Sequence, residues 1–345
     1  MQKNKIKKIV FFGLGSAGQK HLRNLQKLDL NLKVYYYKET KKNFLINQKL
    51  EKINLDIFKK YNLILIKNLN NLKLIKPDAA FICNPSSSHM KFAIFCAKIG
   101  CHLFIEKPIS NKLKNLKIFL NIIKKKKLVV SVGYQFLFHP LLNKLKKIIS
   151  SNKFGNLLRG EVVMNEDVKK YRKYGHYSDL LVTKKNKGGM LLEQSHDLSL
   201  IIWLLDEKPD VIFSSRFRHK HIKFERGTED SVFLGLLFNI NNTKKLITVS
   251  LSSFNCEKEK KLKLIFNRGK IKLNFLDNTL IIEKNNKKKI YKPIINRNNL
   301  FLFELKNFLK NINTKNTKNL TLKNSILTLH TIDEAKKHSK VCETE

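Results

Sequence analysis

Gly13-Leu14-Gly15-Ser16-Ala17-Gly18 has the spacing G-x-G-x-x-G. Glycine serves such a turn in three ways. One makes the tight turn, one lets the backbone approach a pyrophosphate, and one lets a helix pack close to a strand. A helix opening at Ser16 would offer free N–H groups and a partial positive charge to an anion. An apolar run, residues 6–12, precedes the motif, and Leu22, Leu25 and Leu28 follow it at helical spacing. Strand, turn and helix in that order make the motif a dinucleotide site. Gly13, Gly15, Ser16, Ala17 and Gly18 are the expected cofactor-binding residues. About 20 residues further on, an acidic side chain bonds the ribose of NAD, while a basic one accepts the 2′-phosphate of NADP. Lys38 stands there and favours NADP; Glu39 beside it keeps NAD open.

Two further constellations could do chemistry. Glu106-Lys107-Pro108 follows a buried apolar run, and Asn84-Pro85 follows another. In a doubly wound sheet both fall at the carboxyl edge, where ligands bind. A partly desolvated Lys107 there could polarise an alcohol or carbonyl oxygen, or it could be one more solvated loop lysine. Glu193 and His196 are three apart in an expected helix, 194–205, and would share a face. A histidine beside a carboxylate is a natural proton acceptor near neutral pH; the same pair could equally be structural. Tyr171, Arg172, Tyr174, His176 and Tyr177 crowd the preceding irregular segment, 166–187, where they could read a polar substrate or simply cover a sheet.

The elements that must position these residues change character along the chain. Strands are expected at 6–12, 32–37, 78–83, 102–105 and 129–133, with a short apolar run at 63–66. Helices are expected at 16–28, 88–98 and 110–126, the last with Ser110 as its N-cap. That alternation implies a parallel, doubly wound sheet. Beyond it come a helix at 140–150, a strand at 157–164, strand-like runs with Asn-rich turns from 210 to 283, and helices at 300–309 and 324–340. The second part reads as an open, mainly antiparallel sheet with helices. We place an α/β dinucleotide-binding domain at 1–128 and an α+β domain at 129–345.

Composition bounds the function. The chain has 345 residues, 42% hydrophobic and 10% aromatic, enough to bury a core. No apolar run approaches the roughly 18–20 residues of a membrane span. The 69 Lys+Arg against 27 Asp+Glu give +42, but only 8 of the 69 are Arg, and 37 Asn accompany 61 Lys. Lysines scattered through every segment, with few arginines, do not form a specific nucleic-acid site. Cys83, Cys96, Cys101, Cys256 and Cys342 form no CxxC pair, and Cys96, Cys101 and His102 read as core. No metal site is expected. Free thiols without a membrane span point to the cytoplasm.

GLGSAGQKHLRNL at 13–25, DAAFICNPSSSH at 78–89, FIEKP at 104–108, VGYQFLFHP at 132–140 and GGMLLEQSHDLSLIIWLLD at 188–206 occur in that order. Together they resemble the Gfo/Idh/MocA (glucose-fructose oxidoreductase/inositol dehydrogenase) family. The resemblance implies a Rossmann domain followed by an open-sheet domain that carries substrate contacts and homo-oligomer interfaces, as a dimer or tetramer. It implies hydride transfer between NAD(P) and a carbinol or carbonyl of a sugar, nucleotide sugar or cyclitol. By position, Lys107 is the lysine that contacts the reacting oxygen and the cofactor, and His196 is the general acid/base. Glu193 stands where many members have Asp. Asn84, Pro85 and His89 fall in the turn beside the nicotinamide, with Glu106 in the adjoining motif. Tyr134, Gln135, Tyr171 and Arg172 fall at substrate positions. Gln135 replaces a common Asn, and Ser199 a second common Asp. The segment VKKYRKYGHY resembles a branch of surface-sugar and nonulosonic-acid pathway enzymes. The alternative is a cofactor-binding sensor without turnover on the same fold.

Overall fold

The computed structural model describes residues 6–37, 44–47, 50–171, 175–240, 242–254, 257–318 and 320–344. The chain divides into two units. Met1–Tyr134 and Phe301–Ser325 belong to the first; Gln135–Tyr171, Gly175–Leu300 and Ile326–Glu345 form the second.

The first unit contains β1 (Lys8–Phe12), α1 (Ser16–Gln26), β2 (Lys33–Tyr37), β3 (Phe44–Ile46), β4 (Lys52–Asp56), α2 (Ile57–Lys60), β5 (Ile64–Ile66), α3 (Asn71–Ile75), β6 (Ala79–Ile82), α4 (Ser86–Lys98), β7 (His102–Ile105), α5 (Leu116–Lys125) and β8 (Val130–Val132). Six strands form one sheet in the order β5-β2-β1-β6-β7-β8. All its pairings are parallel. This is the doubly wound dinucleotide-binding order, with its reversal between β1 and β6. The inner strands β1, β6 and β7 are mostly apolar and buried, as expected for strands covered on both faces. Phe11, Phe81 and Phe104 stack across β1, β6 and β7 at 4.8 and 5.2 Å, and Phe308 meets the last two edge-on. β8, which a boundary after residue 128 would assign to the second unit, pairs with β7 here.

Two local expectations change. The helix expected from Ser110 begins only at Leu116, after Asn115 turns through a positive φ of 67°. Ser110 is buried, and its hydroxyl accepts from the Lys112 N–H at 3.3 Å instead. The β3–β4 hairpin was not anticipated. It is tied to α1 by Gln19, whose side chain bonds the Phe44 carbonyl and the Ile46 N–H.

The second unit contains α6 (Pro140–Ser150), β9 (Leu157–Asn165), α7 (Met190–Glu193), α8 (Ser195–Leu205), β10 (Asp210–His219), β11 (Ser231–Ile240), β12 (Thr243–Ser252), β13 (Glu259–Phe266), β14 (Gly269–Asn274), β15 (Thr279–Lys284) and β16 (Lys287–Tyr291). The chain ends with α9 (Arg297–Asn313), α10 (Leu320–His338) and β17 (Val341–Thr344). Nine strands form a sheet in the order β16-β15-β14-β13-β9-β12-β11-β10-β17. Only β9–β12 and β10–β17 are parallel. Alternate residues, such as Leu234, Leu236 and Phe238 on β11 and Leu262, Leu264 and Phe266 on β13, fill the buried face. Asn285 and Asn286 both take positive φ, which lets a two-residue turn join β15 to β16. β17 was missed, because four residues at a sheet edge carry too little pattern to read.

Candidate active site

In the first unit, the backbone makes the cradle. Gly13 has φ 87°, and a Cβ there would lie 2.6 Å from the Asn84 nitrogen. A Cβ on Gly18 would lie 2.2 Å from the Gly13 oxygen. Around Gly15 a Cβ would meet nothing within 4 Å. Gly13 and Gly18 are thus demanded by the protein's own packing, whereas Gly15 leaves open space beside the start of α1. No side chain caps α1 and its first turn has no acidic residue, so its N–H groups suit a phosphate. The residues present therefore fit a dinucleotide.

The turns after β6 and β7 are clamped together. The His89 ring is buried, with Nε2 2.8 Å from the Asn84 carbonyl oxygen and Nδ1 2.9 Å from that of Pro108. Burial holds its pKa below the ordinary value, against the pull of the two carbonyls and Glu106. His89, expected to touch the cofactor, is buried with its two ring nitrogens between the Asn84 and Pro108 carbonyls; as a neutral imidazole it donates to one of them. Glu106 is held in turn by His21 of α1, Nε2 to Oε1 at 2.6 Å, and it accepts the Lys107 N–H at 3.1 Å. Burial alone would raise the Glu106 pKa. The hydrogen bond and charge of His21, with Lys107 and Lys20, more than offset this and leave it lowered. A Cβ at Gly133 would press on the Glu106 carboxylate at 3.2 Å. Lys107 itself is half-buried. Tyr134, expected at the substrate, is fully buried.

In the second unit, Gly189 takes φ 96° to start α7, and a Cβ there would lie 2.3 Å from Glu229 Oε1. Glu229 accepts the Leu191 N–H at 3.3 Å and lies 3.5 Å from Arg216 Nη1. Glu193 ends α7 and His196 is the second residue of α8, with Gln194 at φ −95°, ψ 26° between the two helices. The single helix carrying both residues on one face is therefore corrected to two helices meeting at a break. The Gln194 amide donates to the Tyr171 hydroxyl at 2.9 Å. Burial first, then Glu193 and Glu166, push the Tyr171 phenol well above its usual range, so it keeps its proton. His196 is half-buried and its ring meets Phe136 at 5.3 Å, planes 87° apart. Gln135 is buried. Lys38, Glu39, Arg172, Tyr174 and Cys256 lie outside the described residues.

Residues 7–134 match the family model described as "Oxidoreductase family, NAD-binding Rossmann fold", GFO_IDH_MocA. The N-terminal unit belongs to the Gfo/Idh/MocA family. A myo-inositol 2-dehydrogenase of Thermotoga maritima is 24% identical over 208 residues, 60% of this chain and 57% of its own length. The match thus spans little over half of that relative. Solved structures of similar fold cover nearly the whole chain. A 3-ketoreductase from Actinomadura kijaniata, in complex with NADP and TDP-benzene, superposes with TM-score 0.78 at 11% identity, covering 99% of this chain and all of that one. A UDP-N-acetylglucosamine 3-dehydrogenase from Acidithiobacillus ferrooxidans gives TM-score 0.70 at 18% identity, covering 96% of both. Among the described residues no helix is long and apolar enough to cross a membrane, and no group of three or more His, Cys, Asp or Glu could hold a metal ion.

Sequence reasoning missed several residues around these motifs. His21 and Gln19 were read as part of an ordinary helix, yet the first anchors the Glu-Lys-Pro turn. Lys260 was lost among 61 lysines. The signal was present in strand alternation: Lys260, Leu262, Leu264 and Phe266 fall on one face of β13, and that face is buried.

Proposed function

We propose that the chain is an NAD(P)-dependent oxidoreductase acting on a carbinol or carbonyl of a sugar, nucleotide sugar or cyclitol-like compound. The supporting observation is the joint placement of the glycine cradle and the braced Glu106-Lys107 turn at the carboxyl edge of one parallel sheet. A bound nicotinamide would accept or supply the hydride. The Lys107 ammonium donates to the reacting oxygen and stabilises negative charge on it. His196 takes the hydroxyl proton in oxidation and returns it in reduction. Tyr171, kept as a phenol, has a proton to offer a substrate oxygen. Lys38 serves the 2′-phosphate of NADP. The nucleotide-sugar class takes its support from the two folds above, and the copies of the chain assemble through the exposed face of the nine-stranded sheet. Phe213, Phe233 and Leu246 stand on that face, 43%, 47% and 37% exposed.

The test is titration of NADPH and NADH, followed by turnover on a panel of sugars, cyclitols and nucleotide sugars read at the nicotinamide absorbance band. NADPH should bind more tightly, and Lys38→Asp should weaken it by about 10- to 100-fold. Tight NADPH binding with no turnover across the panel would favour a sensor. Tighter NADH binding would remove Lys38 from its role.

A further inference from the structure

Lys260 is a charged side chain where the fold calls for an apolar one. It is buried on the inner face of β13, in register with Leu262 and Leu264. Its Nζ lies 4.3 Å from the centre of the Phe136 ring and 5.9 Å from that of Phe275. The Asp197 Oδ1 is 3.5 Å away. Asp197 is itself buried and follows His196 directly at the start of α8. Phe136 is also the ring that the His196 imidazole meets. Lys260 thus reaches His196 through the Phe136 ring that both meet, and it pairs with the carboxylate of the next residue in the chain.

Such a cation is costly to keep. Burying an ammonium beside a carboxylate often gives no more stability than a well-packed apolar side chain of similar size. Burial pulls the Lys260 pKa down, while Asp197 and Glu166 pull it up and Arg297 lowers it further. Those are the charges that face the amine: Asp197 from α8, Glu166 from the end of β9, Arg297 from the start of α9. Glu193, Glu166 and Asp197 also surround Tyr171. The Lys260 ammonium stands over the same Phe136 ring that the His196 imidazole meets edge-on, so it sets a positive charge near the imidazole. A nearby cation disfavours a second positive charge and so favours the neutral imidazole.

We propose that Lys260 is a positioning residue for His196: through Phe136 and Asp197 it fixes the imidazole's setting and keeps it in the neutral, proton-accepting state. This rests on His196 being the acid/base group, so the test has one readout that needs no turnover. The His196 imidazole is titrated by NMR in wild type, Lys260→Met and Lys260→Arg, with Lys263→Met on the opposite face of β13 as control. The midpoint should rise in Lys260→Met by about half a unit or more. It should stay near wild type in Lys260→Arg and Lys263→Met. With a substrate in hand, Lys260→Met should lower kcat about 10- to 100-fold with the dinucleotide affinity unchanged, and add nothing in a His196→Ala background. An unmoved His196 midpoint in folded Lys260→Met, or an equal loss of kcat with and without His196, overturns the proposal. A shifted midpoint in a protein that turns over no substrate leaves this inference standing and sinks the enzyme reading instead.

Discussion

In the first unit, the residues that would meet a cofactor are held by main chain. Gly13 and Gly18 are pinned by approaches of 2.6 and 2.2 Å, and the buried His89 ring lies between two backbone carbonyls. In the second unit the candidate site is made of side chains from separated segments: Tyr171, Glu193, His196, Asp197 and Lys260, arranged by a sheet face and a helix break. A main-chain cradle needs the same residues whatever it serves, whereas a side-chain constellation can be rearranged for one substrate. The first kind therefore leaves a sharp mark in sequence and the second a blurred one.

The sharpest way to break that contrast is through the two catalytic candidates. Lys107→Met and His196→Ala should each lower turnover by about 10²–10⁴-fold, the loss expected for a positioned acid/base group. Neither contributes to the turn at Gly13–Gly18, so dinucleotide affinity should change little. If the two act as one unit, the double variant should be barely worse than either alone. Full activity in both variants, measured on an identified substrate, would falsify the assignment.

Within the cradle, the glycines themselves should separate. Gly18→Ala places a methyl 2.2 Å from the Gly13 oxygen. It should cost about 1–3 kcal/mol of stability or more, because backbone must move. Gly15→Ala meets no atom within 4 Å. Its melting temperature should match wild type while NADPH affinity falls, since the added methyl occupies the space left for the ligand. Equal melting temperatures for the two variants would mean that the motif's glycines are not divided between packing and binding.

The His21–Glu106 brace gives a pH-dependent version of the same comparison. A carboxyl whose folded pKa is lowered stabilises the fold at neutral pH. That contribution is lost as the pH falls from the usual carboxylate value through the folded one. His21→Leu leaves a buried carboxylate without its partner, at a cost of about 1–3 kcal/mol at pH 7. The cost should shrink as the pH falls below the usual carboxylate value, because the wild type loses its advantage as Glu106 protonates at its lowered folded pKa. Thermal melts at pH 7 and pH 4 read the difference. A cost independent of pH would reduce His21 to a packing residue.

How much of this was legible follows from the kind of interaction. The parallel sheet was readable because β1, β6, β7 and β8 are apolar runs between helical patterns, a signal each segment carries locally. The glycine turn was readable because its spacing is fixed by geometry. The His21–Glu106 pair spans 85 positions, so no local pattern marks it. Residues 301–325 join the first unit through Leu305 and Phe308, a placement that depends on tertiary packing alone. β17 pairs with a strand more than a hundred residues earlier. Lys260 was hidden by composition: where lysine is everywhere, a buried one is found only by asking which face of the strand it occupies.

The smallest expected effect concerns Glu193. On one continuous helix it would share a face with His196 and could orient the imidazole directly. The helix is interrupted at Gln194, and the carboxylate helps to push up the Tyr171 phenol. Glu193→Gln should therefore change turnover by no more than the worth of a single hydrogen bond, about fivefold. The same substitution should let the Tyr171 phenol ionise at lower pH, seen as an earlier rise in tyrosinate absorbance, because a negative charge facing it has gone. A loss of 10²-fold or more, with the phenol titration unmoved, would instead tie Glu193 to His196 across the break. The second unit's chemistry would then be as tightly prescribed as the first unit's cradle.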